Sequence, residues 1–115
     1  MSGKVIQPVT LQLSIGRGCF GGGYDGGNYV NTIDYITIAT TGNATDFGDL
    51  TVARYGLAAC SSSTRGCFGG GYSTTNVNII DYITIATTGN ATDFRDLTVA
   101  RHYLAACSDV HGGLG

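Results

Sequence analysis

A tandem repeat with a period of 47 to 48 residues constrains the fold of this 115-residue chain more than any other feature. The octapeptide at 17–24 returns unchanged at 65–72, and the 15-residue segment at 33–47 returns unchanged at 80–94. Across one full repeat, 37 of 44 aligned positions are identical, and Tyr29 is the one residue without a counterpart. Because both copies must fit equivalent surroundings, the repeat predicts a stacked or circular array of similar units.

The residues of each copy favour short β-strands over helices. The chain has 19 Gly and 15 Thr but no Glu, and its β-branched residues alternate with polar ones. Strands are predicted at 35–40, with a turn at 41–43, then at 47–52, at 57–60 and, after a polar loop, at 66–72. The sequence therefore predicts an all-β fold with about four short antiparallel strands in each repeat.

Four features follow one another in an order that resembles a kelch repeat: Arg54, the glycines at 69–71, Tyr82 and Phe94. The resemblance covers about residues 17–109, although phenylalanine stands where the family usually has tryptophan. The chain is similar to highly repetitive kelch-like proteins of marine phage and environmental origin. The resemblance implies that each repeat is a four-stranded blade of a β-propeller, and propellers of this family usually have six or seven blades.

Two blades in one chain predict self-association. We divide the chain into an N-terminal strand or cap (1–16), a first blade (17–61), a second blade whose C-terminal strand is shared with a neighbouring chain (62–109), and a tail (110–115). A propeller blade packs on neighbours through both faces, so two blades leave two outer faces to be covered. We expect closure by a homo-oligomer, and the kelch resemblance favours six blades from a trimer. A dimer with four blades and a tetramer with eight are the alternatives.

The chain repeats one small strand without its partner. The segment at 104–108 repeats 57–61, but it is not followed by a further copy of the glycine-rich strand. The first glycine-rich strand, at 18–20, has no such small strand before it. We therefore expect 104–108 to complete the first blade of a neighbouring copy. The alternating segment at 9–15 competes for that position, and we place it instead at an outer edge, where it would cover exposed backbone groups.

The loop between the second and third strands differs most between the two copies, at 25–31 and 73–78. Loops on a rigid scaffold often carry binding, and Asp, Asn and Tyr side chains suit hydroxyl-rich ligands such as glycans. The candidate ligand-binding residues are Asp25, Asn28, Tyr29, Asn31, Asn76 and Asn78, with Arg54 and Arg101 as an arginine ring lining a channel. Drift in an unconstrained loop, and hydrogen bonds between blades or in turns made by the arginines, are the alternative explanations, and they are the ones that we favour.

The four cysteines occupy equivalent positions in pairs. Cys60 and Cys67 flank the loop of a predicted hairpin, and Cys107 would face Cys19 of a neighbouring chain in the same geometry. We expect free, buried thiols that pack as small apolar residues, with a disulfide in each pair as the alternative. No zinc-ligand spacing is present, so no metal site is predicted.

The glycine runs at 21–23 and 69–71 raise the question of a phosphate-binding loop. Neither run is followed by the Lys-Ser/Thr pair of such a loop, and neither opens a predicted helix. We expect the glycines to permit close backbone approach near the propeller axis.

The remaining composition narrows the function. A net charge of −2 with six scattered basic residues disfavours nucleic-acid binding. No membrane-spanning run or signal peptide is readable, which leaves the compartment open. With two histidines and no Glu, we expect no catalysis and no cofactor. The predicted function is a self-assembling, non-enzymatic binding module for glycans; a purely structural component of a virion or surface is the alternative.

Overall fold

The computed structural model describes residues 16–110, which form two antiparallel β-sheets and no helix. The strands are β1 (Arg17–Gly21), β2 (Thr32–Thr37), β3 (Thr45–Asp49), β4 (Ala58–Ser61), β5 (Arg65–Gly69), β6 (Tyr72–Ser73), β7 (Thr75–Asn76), β8 (Ile79–Thr84) and β9 (Thr92–Asp96). Sheet I has the order β1-β2-β3, sheet II has the order β4-β5-β8-β9, and β6 pairs with β7 in a small hairpin. The predicted all-β fold is confirmed.

The strand boundaries differ from those predicted by alternation. The strand expected at 35–40 begins at Thr32 and ends at Thr37, because the chain then turns: the Thr40 amide donates to the Thr37 carbonyl at 3.1 Å. The glycine-rich strand expected at 66–72 ends at Gly69. Gly70 follows with a φ of 73°, a left-handed conformation that glycine adopts at little cost.

Sheet II draws strands from both copies of the repeat. Its first strand, β4, belongs to the first copy, whereas β5, β8 and β9 belong to the second. In the β4–β5 register Cys60 lies directly opposite Cys67. The boundary between the two copies of the repeat therefore lies inside sheet II, between β4 and β5, and the sheets do not coincide with the copies.

Sheet I has one strand fewer than sheet II. β1 corresponds to β5, yet within residues 16–110 no strand pairs with the edge of β1 that faces away from β2. The C-terminal segment 104–108, which repeats part of β4, is not a strand in the structure, because it has no pairing partner there. The predicted strand at 9–15 and most of the predicted tail lie outside the described residues.

The core lies between the two sheets. Its buried apolar residues are Ile33, Phe47 and Leu50 from sheet I and the residue after it, with Phe68, Ile83 and Ala91 from sheet II and the residue before β9. Tyr35 and Ile85 pack against this cluster from its margin. Burial of this surface, the main favourable term in folding, is thus concentrated at the contact between sheets.

Candidate functional site: the intersheet junction and an aromatic cluster

Arg54 joins the two sheets. It lies in the segment between β3 and β4, and its side chain is completely buried. The Nε donates to the Gly70 carbonyl at 2.7 Å, and Nη2 donates to the Phe68 carbonyl at 3.2 Å. Nη1 lies 3.2 Å from Oδ2 of Asp81. Arg54 therefore makes the hydrogen bonds between sheets that we kept as the alternative to a ligand-lining position.

Asp81, the partner of Arg54, is also completely buried. Its carboxylate accepts the backbone amide of Thr51 at 3.0 Å and the Thr51 hydroxyl at 2.7 Å. Burying two charges is costly unless both are paired and hydrogen-bonded. In this ion pair both charges are paired and hydrogen-bonded. We call the group formed by Thr51, Arg54 and Asp81 the intersheet junction.

The glycine runs allow the chain to pass close to this junction. A Cβ atom on Gly22 would lie 2.7 Å from the Arg54 carbonyl oxygen, and one on Gly70 would lie 2.8 Å from the Arg101 carbonyl oxygen. Both glycines have a φ of 73°. Close backbone approach, as the sequence predicts, explains why both copies keep glycine at this position.

The contact between the sheets continues outward from the intersheet junction. At its outer end, a turn of sheet II packs on β3. The amide of Gly89 donates to the Phe47 carbonyl at 2.8 Å, and Oδ1 of Asn90 accepts the amide of Asp49 at 3.0 Å. A Cβ atom on Gly48 would lie 2.2 Å from the Gly89 carbonyl oxygen, so no other residue fits there without a shift of backbone.

We call two residues at the same position in the two copies twins. The twin of each core residue is not buried. The twins lie on the faces of the two sheets that are directed away from the junction: Phe20, Ile36 and Ala44 in or beside sheet I, and Ile80, Phe94 and Leu97 in or beside sheet II. Phe68 is 4% exposed whereas its twin Phe20 is 61% exposed, and Phe47 is 3% exposed whereas Phe94 is 44% exposed.

The twins of the ion pair are separated in the same way. Arg101, the twin of Arg54, is exposed, but its Nη1 donates to the Val99 carbonyl at 3.1 Å as Arg54 does to Val52. Asp34, the twin of Asp81, is half-buried, and no described residue donates a hydrogen bond to its carboxylate. Arg101 thus has the local geometry of Arg54 without a second sheet to enter.

Six aromatic rings form a continuous cluster at one end of the strands. Its members, the aromatic cluster, are Tyr24, Tyr29, Tyr55, Tyr72, His102 and Tyr103. Tyr29 stacks on Tyr55 with ring centroids 5.5 Å apart, and His102 lies 5.3 Å from Tyr72 and 4.7 Å from Tyr103. Loss of contact with water, followed by the neighbouring phenols, raises the pKa of Tyr55 above its ordinary value of 10.0.

The candidate polar residues differ in how they relate to this cluster. Asn76 contacts His102, its Oδ1 lying 2.6 Å from Nδ1. Asp25 accepts the amides of Gly27 and Asn28 at 3.0 and 2.8 Å, an arrangement that shapes the loop and lowers the pKa of the Asp25 carboxyl. The side-chain amides of Asn28, Asn31 and Asn78 make no hydrogen bond within residues 16–110. Of the candidates, Tyr29 alone belongs to the cluster itself.

The other five rings are not among the residues predicted from the sequence. A signal was present: Tyr24 and Tyr72 end the repeated octapeptide, and the exchange of Tyr55-Gly56 for His102-Tyr103 keeps an aromatic residue in each copy. Tyr55 and Tyr72 are linked by backbone hydrogen bonds of 3.2 and 2.8 Å. The fold brings together residues whose sequence spacing predicts no contact.

The four cysteines are free thiols in the structure. Burial, and then the neighbouring thiol of Cys60, raise the pKa of Cys67, which keeps it protonated and poorly nucleophilic near neutral pH. Cys19 has a raised pKa because of burial, and Cys107 is exposed. The pairing of Cys107 with a neighbouring chain stays a prediction.

Residues 16–110 contain no group of three or more potential metal-ligating side chains. Over the same part of the chain, no helix is long and apolar enough to cross a membrane. Comparison of the chain with protein-family models and with curated proteins gave no match.

Proposed function

We propose that the protein assembles with copies of itself into a closed β-propeller and serves as a binding module. Each sheet would be one kelch-like blade. The proposal rests on one observation: the two outer faces carry the separated halves of the junction that already joins the sheets within the chain. A surface that repeats one side of a well-packed contact is complementary to a surface that repeats the other side.

Arg101 is the centre of the proposed contact. In the intersheet junction an arginine enters beside an aspartate and two backbone carbonyls of the next sheet. Arg101 of one copy would enter in the same way beside Asp34, with the carbonyls of Phe20 and Gly22 as acceptors. The apolar twins Phe20 and Phe94, both exposed, would be buried by the same contact.

Among residues 16–110, no strand pairs with the edge of β1 that faces away from β2, and this supports the same arrangement. Segment 104–108 of one copy would pair with β1 of the next, as β4 pairs with β5. By that register Cys107 would lie opposite Cys19. Strand addition would satisfy backbone groups at an edge that otherwise invites irregular pairing.

At the outer end of the contact, one position differs between the two copies. Gly48 contacts the Gly89 turn so closely that a side chain is excluded, but its twin is Arg95. The contact between copies therefore differs from the intersheet junction at its outer end, while the inner end around Arg101 can repeat it. We infer that association between copies is weaker than the contact within the chain.

The mass in solution tests the proposal. We expect a homotrimer, three times the 11.9 kDa chain, by native mass spectrometry and light scattering. Arg101→Asp should dissociate it through like-charge repulsion with Asp34, and adding Asp34→Arg should restore it. Ser63→Ala, in the exposed loop between β4 and β5, is the matched control. A monomer over the accessible concentration range, or an unaffected assembly in Arg101→Asp, contradicts the proposal; a closed dimer or tetramer corrects the number of blades.

A further inference from the structure

We propose that the aromatic cluster is a binding site for neutral carbohydrate; the proposal names the ligand class of the binding module proposed above. The cluster lies where the scaffold presents its loops. Tyr24 and Tyr72 follow the glycine runs after β1 and β5, while Tyr55 and His102 precede β4 and the segment 104–108. All of these chain ends lie at the same end of the antiparallel strands.

The rings remain accessible despite their mutual packing. Tyr24 and Tyr103 are 57% and 74% exposed, and the four other rings are half-buried. A phenol ring offers an apolar face with a hydroxyl at its edge, and exposed apolar patches of this kind commonly mark binding surfaces. The flat C–H face of a pyranose ring stacks on such a face, since both surfaces are apolar and of similar size.

The charges around the cluster argue for a neutral ligand. The Asp25 carboxylate is occupied by the backbone amides of its own loop. Arg101, the basic residue beside His102, is assigned to the contact between copies in the proposed ring. Phosphorylated or sulfated ligands need several free cations, which the described part of this surface does not offer.

The loops that carry the rings also carry polar groups that suit sugar hydroxyls. The amides of Asn28, Asn31 and Asn78 have no intramolecular partner among residues 16–110 and each supplies donors and an acceptor. Asn76 holds His102 through a 2.6 Å contact, which fixes the orientation of that ring. Apolar rings and free amides on the same loops combine stacking with hydrogen bonding, the two contacts that a saccharide makes.

Assembly would extend the cluster around the ring. Tyr55 and Tyr72 are joined by backbone hydrogen bonds across the intersheet junction. Their twins are His102 and Tyr24, which would stand in the same relation between neighbouring copies. The aromatic side chains would then form a continuous band around one opening of the propeller channel. This band would give an oligosaccharide a repeated binding site.

The chain contains no tryptophan, so tyrosine emission reports on the cluster, which holds five of the seven tyrosines. The probes are cellohexaose, maltohexaose, mannohexaose and chitohexaose, titrated into the full chain by tyrosine fluorescence and calorimetry. We expect at least one to bind. Tyr103→Ala should weaken it about tenfold, equivalent to about 1.4 kcal/mol, whereas Tyr103→Phe, the matched control that keeps the ring, should stay within about threefold.

Deletion of Tyr29 is the second variant, because the other repeat lacks a residue there and the loop closes without it. We expect weakened binding with unchanged assembly. The mass of each sample, measured alongside, separates the two proposals. A monomer that binds sugar overturns assembly but supports this site. Intact rings that bind none of the four probes, or binding confined to dextran sulfate, overturn it and favour the purely structural role.

Discussion

The intersheet junction and the outer faces are built from the same sequence in different surroundings. Phe68 and Phe20 occupy the same place in an identical octapeptide, yet one is buried and the other is largely exposed. The Arg54 guanidinium has four hydrogen-bond acceptors. Among residues 16–110, Arg101 has one, the nearby Val99 carbonyl. Burial in this protein is therefore decided by whether a neighbouring sheet is present, and local sequence contributes equally in both cases.

Arg54→Met gives the largest expected difference from its twin. Removing the guanidinium leaves Asp81 buried without its cation, which should cost about 3–5 kcal/mol of unfolding free energy. Arg101→Met leaves no buried charge within the chain, so its cost should appear only as protein concentration rises and copies associate. Urea denaturation followed by tyrosine fluorescence, at low and high protein concentration, measures both. Equal costs for the two variants at low concentration would refute the distinction.

Phe68→Ala and Phe20→Ala compare the apolar twins. The first empties a space in the core and should destabilise the fold by about 3–5 kcal/mol. The second truncates an exposed ring and should cost within about 0.5 kcal/mol in the dissociated chain. Thermal unfolding of dilute samples gives both values, and a large cost for Phe20→Ala there would mean that sheet I is covered within the chain itself.

Gly48→Ala and Arg95→Gly exchange the residues by which the two contacts differ at their outer ends. A methyl group at 48 meets the Gly89 carbonyl and should cost about 1–3 kcal/mol through overpacking. Arg95→Gly removes the obstruction from the outer face and should tighten association between copies. Concentration-dependent light scattering measures the second effect, and weaker assembly in Arg95→Gly would argue against a contact of the proposed geometry.

Alkaline pH should produce the smallest effect. The folded protein keeps the Tyr55 proton above pH 10.0, where the unfolded chain loses it, so the unfolding free energy falls as pH rises through and beyond that value. Tyrosinate absorbance should show one late titration that is absent in Tyr55→Phe. A tyrosine titration of the folded wild type that is indistinguishable from that of the unfolded chain would contradict the assigned environment.

The sequence predicted the strands well because repetition and alternation are local signals. The β4–β5 hairpin, with Cys60 opposite Cys67, follows from two apolar segments around a short polar loop. The alternative role for Arg54, joining neighbouring units, is the one found. The boundaries of β2 were wrong by three residues because Thr40 closes a turn that alternating residues do not reveal.

The candidate site was harder to predict, because its rings come from four separate segments. Tyr29, Tyr55 and His102 meet only after the sheets have packed. Segment 104–108 has the sequence of a strand but remains unpaired, since strand formation requires a partner and not only a propensity. Non-local packing, which periodicity does not encode, explains why the cluster was missed, while the pairing of 104–108 with a neighbouring copy stays a prediction.

The offset between sheet and repeat has a consequence for inheritance. Because β4 is encoded in one copy and completes the sheet of the next, duplicating or deleting a whole repeat leaves every internal sheet intact. In the proposed assembly, a change in repeat number would therefore alter how many chains close a ring. Chains of different repeat number would share the surfaces that join copies, and a ring of mixed chains would close only where their repeats sum to the number that one ring requires.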